Sequence, residues 1–164
     1  MSESTTVLGL ASRGDSDRLS VWLVEVQLDE DGQVKVAVHD AWQATKKRDD
    51  ASQLIDAHDT IVNAIDAPTL GTVKAVAVKR TETPQFGRPG NAYDRKIRFE
   101  GAVMLAAHAQ GKRYYAYRNN QLGRGQDIAK QARSADGAPK EGEALEAMVA
   151  ACAGLSDLSK SPPD

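Results

Sequence analysis

Ten lysine and arginine residues lie between Lys79 and Arg124, against three acids, in a chain whose net charge is only −2. That segment therefore carries +7 and the remainder −9. Cations gathered in one stretch of an otherwise acidic chain suit a polyanionic partner, although a charge run is also what any solvated face looks like. Lys79 and Arg80 close the apolar run 73–78, and successive strand side chains point to opposite faces, so the two cations serve opposite sides. The following stretch, TETPQFGRPG at 81–90, holds Arg88, with Phe86 placed to stack on a base. A helix start then carries Arg95, Lys96 and Arg98, where backbone N–H groups favour anions. KRYYAYR at 112–118 interleaves basic and aromatic residues, the pattern of a nucleic-acid face and equally of an ordinary strand, and ends on Arg118. The predicted phosphate contacts are thus Lys79, Arg80, Arg88, Arg95, Lys96, Arg98 and Arg118. The same residues allow a structural alternative, in which Lys79 pairs with Glu143 or Glu82 and holds the last helix.

Other chemistries find little support. Three histidines and one cysteine, at 39, 58, 108 and 152, have no metal-ligand spacing and allow no internal disulfide. His39 and Trp42 read as packing residues. His58, His108 and Cys152 fall at apolar positions of helical stripes, and no acid or base is spaced to activate the thiol. Asp15 and Asp17 read as turn residues. No catalytic residue, metal site or cofactor is predicted.

The elements that must position the cations follow from periodicity. Residues 7–11, 19–28 and 34–42 are strand-like runs, the second alternating Trp22, Val24, Val26 and Leu28, the third Val34, Val36 and Val38. Arg13 to Asp17 and Asp29 to Gly32 separate them as hairpin turns, Asp-Gly supplying a positive φ at little cost. Asp50-Ala-Ser-Gln53 resembles a capping box ahead of an amphipathic helix of about 15 residues through Leu54, His58, Ile61, Val62 and Ile65. Residues 75–78 are continuously apolar, as in a central strand covered on both faces. Asn91 or Asp94 caps a second helix whose predicted core stripe is Ile97, Gly101, Met104, Leu105 and His108, stopped by Gly111. A strand at 114–117, a loop at 119–125, a short helix at 126–133 and a last helix opened by Pro139, with Leu145, Met148, Val149 and Cys152 inward, complete the chain.

Three antiparallel strands followed by helix, strand, helix, strand, helix resemble the ribonuclease H-like fold, and within it the RuvC-like branch, over roughly residues 6–153. Right-handed crossovers then give an α/β domain with a mixed five-stranded sheet in the order 3-2-1-4-5 and helices on both faces. The resemblance implies a two-metal nuclease site, and the chain departs from it where ligands are expected. Ala11 follows Val7-Leu8-Gly9-Leu10 where the family has an aspartate, and Lys79 ends the fourth strand in place of a glutamate. Lys140 stands where the first of two acids three apart is expected, leaving Glu143. Two divalent ions need several converging carboxylates, so the resemblance implies a degenerate, pseudo-nuclease site. A lysine at this strand end, then a Gly/Arg-containing loop and a helix carrying Arg98-Phe99-Glu100-Gly101, is similar to small bacterial proteins of this fold whose activity is unassigned.

With 41% hydrophobic and 27% charged residues over 164 positions, a single soluble domain with a sizeable core is expected. Its span is 6–154, between a disordered 1–5 and a flexible tail at 155–164. No signal peptide and no run of about 18 apolar residues is visible, which points to the cytoplasm and away from membranes. The preferred reading is a non-catalytic nucleic-acid-binding module. The alternatives are a metal-dependent nuclease with a site relocated to Glu82, Asp94, Glu100 and Glu143, or a scaffolding subunit that docks a protein through its acidic face. The sequence leaves the oligomeric state open.

Overall fold

The computed structural model describes residues 4–14, 18–45, 49–81 and 91–160. Strands β1 (Thr5–Gly14), β2 (Leu19–Leu28), β3 (Val34–Val38) and β4 (Trp42–Gln43) lead into helix α1 (Asp50–Asp66). Strand β5 (Val73–Lys79), helix α2 (Asn91–Ala109) and strand β6 (Arg113–Tyr117) follow, then a 3₁₀ helix (Asn119–Gly125), α3 (Gln126–Arg133) and α4 (Gly142–Lys160). The sheet order is β3-β2-β1-β5-β6, with β1, β2 and β3 antiparallel and β5 and β6 parallel to β1. This is the predicted order. The sheet has six strands rather than five, because the run 34–42 breaks after Val38 and resumes as the two-residue β4, which pairs with β2 beyond β3.

Alternation along the central strands sorts the core into two layers. Leu8, Leu10, Val76 and Val78 pack with Ile61 and Ile65 of α1 and Phe99 and Val103 of α2. Val7, Ala11, Ala75 and Ala77 pack with Met148, Ala151 and Leu155 of α4 on the other face. Helix α4 touches β1 and the 3₁₀ helix backbone to backbone. A Cβ on Gly9 of β1 would collide with the carbonyl of Ala147, and one on Gly125 with the backbone of Cys152 and Ala153. Glycine at both points lets peptide groups meet directly.

Several local expectations are corrected. The N-cap of α1 is Asp49, whose side chain accepts from the Ser52 N–H at 2.7 Å; no capping box starts at Asp50, and Gln53 instead accepts from the Leu19 N–H at 3.1 Å. The stripe Ile97, Met104, Leu105 and His108 of α2 faces outward, and the buried side is Phe99, Val103, Ala106 and Ala107. His58 is only partly buried, beside Asp59, and His108 is exposed, so neither is a core histidine. Residues 155–160, expected in a flexible tail, continue α4: Leu155 is buried and the Asp157 carboxylate accepts from the Tyr117 hydroxyl at 2.7 Å. The turn at Asp29 to Gly32 is as expected, with Gly32 at φ 81° and the Asp29 side chain accepting from the Asp31 and Gln33 N–H groups. Among the described residues no helix is long and apolar enough to cross a membrane.

Candidate nucleic-acid interface

The parallel register pairs Leu10 with Val78 and Lys79 with Tyr117, so Ala11, Lys79 and Arg118 reach the same carboxyl edge of the sheet. Lys79 ends β5 on the α4 side, and its ammonium donates to Glu146 Oε1 at 2.7 Å. One turn earlier on α4, Glu143 lies 3.8 Å from the Arg13 guanidinium of β1. The two acids that α4 presents three residues apart are thus Glu143 and Glu146. Lys140 precedes the helix and lines a shallow cleft with Arg133, Pro139 and Leu145, so its expected place at the ligand position is corrected. Matching Glu143-Ala144-Leu145 to the second acid of the family pattern looks three residues back, to Lys140, whereas the structure pairs Glu143 with the acid three residues on. The structural alternative for Lys79 is right in kind, with Glu146 as partner rather than Glu143 or Glu82.

Lys96 joins this locus from α2. Burial and the adjacent Lys79 charge hold its ammonium below the usual lysine range, against the pull of Glu100, Glu146 and Glu143. Glu100, one turn on, accepts from the Thr81 N–H. Burial raises its carboxyl above the ordinary value, opposed by the Thr81 hydrogen bonding and by Arg80 and Lys96. Arg80 is exposed, and its coupling to Glu100 and Tyr114 places it on the α2 side, opposite Lys79 as strand alternation requires. Its N–H donates to the Tyr117 carbonyl at 2.7 Å, which ties the ends of β5 and β6 together. Arg118 is exposed at the start of the 3₁₀ helix.

The other predicted cations divide away from this edge. Arg95 lies 3.1 Å and Arg98 3.5 Å from the Asp50 carboxylate, in the crevice between the start of α1 and α2. Arg88 and Phe86, like Glu82, Asp15 and Asp17, lie outside the described residues. The tyrosines of 112–118 are used internally. Tyr115 and Tyr117 stack at 6.1 Å on the α4 side, and Tyr114 packs on the other, its hydroxyl pushed up to about 12 by burial and by Glu100. Cys152 is buried, and burial raises its thiol to about 12, which makes it a packing residue.

The residues at the strand ends do not fit a pair of divalent ions. Ala11 offers no oxygen, Lys79 brings a positive charge, and Glu146 and Glu143 already face Lys79 and Arg13. Among the described residues no group of three or more His, Cys, Asp or Glu is arranged to hold a metal.

No protein-family model matches the chain, and no curated protein matches it. Solved structures do. RuvC from Thermus thermophilus in complex with a Holliday junction substrate superposes with a TM-score of 0.68 at 16% identity, covering 96% of each chain. A Thermus thermophilus RuvC structure superposes at 0.67 and 15% identity, covering 95% of this chain and 96% of that one. The shared strand order, the two helical layers and the full-length superposition establish that this chain has the RuvC-like ribonuclease H fold.

Proposed function

We propose that the chain is a nucleic-acid-binding module that does not hydrolyse its ligand. The observation that carries this reading is the Lys79–Glu146 pair at the carboxyl end of β5, the position where open α/β sheets bind ligands. An ammonium there neutralises a phosphate without a cation being recruited. Its partner is 41% exposed, so a phosphate oxygen can replace Glu146 from the solvent side. Lys96 stands beside Lys79 to take a share of the same charge. Arg80 and Arg118 sit on the rim to reach flanking phosphates, and Arg88 follows Arg80 in the sequence before α2. That a RuvC of the same fold was solved with a Holliday junction supports nucleic acid as the ligand class. Arg95 and Arg98 are assigned a secondary part, because Asp50 already engages both.

A relocated hydrolytic site is the weaker reading. Glu143 faces Arg13, Glu100 is taken by the Thr81 N–H, and Asp94 is exposed on α2.

Anisotropy of a labelled single strand and a labelled duplex, read at several salt concentrations, tests the proposal. If about four phosphates are neutralised, log K falls with log salt at a slope of roughly −3 to −4, and each lost contact reduces that slope by about one. Arg118→Glu, Arg88→Glu and Lys96→Glu each weaken binding to all sequences alike. Branched, duplex and single-stranded substrates stay intact in Mg²⁺. Binding that is absent at low salt, or unchanged in all three variants, leaves the acidic surface and a protein partner as the better reading. Cleavage abolished by Glu143→Gln or Glu146→Gln overturns the non-hydrolytic part.

A further inference from the structure

Lys79, Lys96, Glu100, Glu143 and Glu146 gather where β5 runs out. Lys79 ends the strand and donates to Glu146 Oε1 at 2.7 Å, with Glu143 one turn earlier on α4. Thr81, two residues past Lys79, donates its N–H to Glu100, which brings that part of α2 to the strand end. Lys96 lies four residues before Glu100, hence on the same side of the helix, and is half-buried. Phosphate binding alone does not call for this arrangement. A lysine that only neutralises a phosphate works best exposed and fully charged, and a second ammonium beside it adds repulsion.

The arrangement suits an amine that reacts. A lysine becomes a nucleophile when it is desolvated or set beside another cation, because both favour the neutral form with its free electron pair. Burial and the Lys79 charge act in that direction on Lys96, against the pull of Glu100, Glu146 and Glu143. Such an amine needs an electrophilic carbonyl. Intact nucleic acid presents phosphates and conjugated bases, which do not condense with an amine. An abasic deoxyribose does, because its sugar opens to a free aldehyde at C1′ between two phosphates.

We infer that the chain acts on abasic sites in DNA, with Lys96 forming a Schiff base to the C1′ aldehyde and the strand then opening by β-elimination. The inference rests on the nucleic-acid reading above. The Lys96 amine adds to C1′, and the carbinolamine loses water to give an iminium, which acidifies the C2′ hydrogens. A backbone phosphate that takes Lys79 releases Glu146, and its carboxylate accepts a C2′ proton to leave an enamine. The enamine electrons form the C2′–C3′ double bond as the C3′–O bond breaks. The phosphate departs from C3′ with that bonding pair, its charge met by Lys79. Water then hydrolyses the iminium, which frees Lys96 and leaves an unsaturated aldehyde. These steps balance without an oxidant or a reductant.

A duplex with one abasic site, incubated with the full chain in EDTA and sodium borohydride, is the first measurement, since reduction traps the iminium as a stable amine. A one-to-one covalent adduct is expected, and peptide mass spectrometry places it on Lys96. Without borohydride the strand opens at that site to a 5′ phosphate and an unsaturated aldehyde, while intact duplex is untouched. Lys96→Arg and Lys96→Ala, checked for folding by circular dichroism, abolish the adduct even with enough protein to saturate the duplex. Glu146→Gln raises the ratio of trapped adduct to opened strand roughly 100-fold. Anisotropy on the same duplex with a tetrahydrofuran at the site, which keeps the phosphates and lacks the aldehyde, reads binding apart from chemistry. Binding of this analogue without an adduct on the aldehyde, or an adduct that maps to other amines or survives both Lys96 variants, overturns the inference and leaves the binding reading in place. An analogue that does not bind overturns the nucleic-acid reading itself, and this inference with it.

Discussion

Two carboxylates, Glu25 and Glu146, each face a basic side chain, and they differ in everything else. Glu25 is fully buried in β2. It accepts from the N–H groups of Thr69 at 2.8 Å and Leu70 at 3.0 Å and meets His39 Nε2 at 2.5 Å. Gln27 fastens the same loop by donating to the Leu70 carbonyl at 2.9 Å. Glu146, 41% exposed, pairs among the described residues with Lys79 at 2.7 Å. A carboxylate held by fixed peptide groups has no lone pair to offer a ligand and serves as a pin between β2 and the α1–β5 connection. A carboxylate held by an ammonium and open to solvent can surrender it. The contrast shows that an ion pair is a candidate for function only where one member can exchange its partner with solvent.

The largest effect that would break this distinction is on stability. Glu25→Ala empties a fully buried site in β2 and removes the acceptor of the Thr69 and Leu70 N–H groups and the partner of His39, and is expected to cost about 3 kcal/mol, read by chemical denaturation. Lys79→Met removes a partly exposed pair and is expected to cost no more than about 1 kcal/mol, while weakening nucleic-acid binding. Equal losses for the two variants would erase the distinction. Arg98→Ala, at a half-exposed pair, should change stability by only about 0.5 kcal/mol or less.

The pH dependence sharpens the comparison through its sign. Burial pushes the Glu25 carboxyl up, but the hydrogen bonds from His39, Leu70 and Thr69 together hold it below its ordinary value of 4.5. Its contribution is therefore complete above that value and is lost as pH falls through the lower, folded one. Glu100, raised by burial, has the opposite sign: its ionised form opposes folding, and acidification through its raised value relieves this. In thermal melts from neutral to acid pH, Glu25→Gln should flatten the acid-side loss, whereas Glu100→Gln should hold neutral-pH stability level or slightly raise it.

Strand order was legible because the central runs are short, apolar and separated by strong turn signals, and because few topologies satisfy right-handed crossovers. Lys79 was legible for the same reason, as the end of a strand is a well-marked position. The Glu25 pin was not. A single acid within an alternating strand reads as solvent-facing, and its partners Thr69 and Leu70 are peptide groups, which carry no residue signature. His39 was accordingly read as packing. Glu146 was not legible because the Glu143-Ala144-Leu145 match fixes the register of the acid pair one step too early, at Lys140, which precedes the helix at Gly142. The α2 stripe misled because periodicity reports that a face is apolar without saying whether it turns toward the sheet. The cations of α2 divided for a reason beyond composition: Lys96 turns toward Lys79, while Arg95 and Arg98 meet an aspartate forty-five residues or more away in sequence.

The glycine contacts beneath α4 bear on how such a site changes its chemistry over time. A helix seated peptide on peptide has its height and angle over the sheet set by the thickness of the main chain, not by the volumes of interleaved side chains. Gly9 of β1 is such a bearing under Ala147, and Gly125 seats the 3₁₀ helix in the same way against Cys152 and Ala153 of α4. The first turns of α4, which carry Glu143 and Glu146, then keep their place over β1 and β5 while surrounding residues are exchanged. On such a mount, a carboxylate at the end of β5 and a lysine there are interchangeable without moving the frame. One scaffold can thus pass from recruiting cations to being the cation.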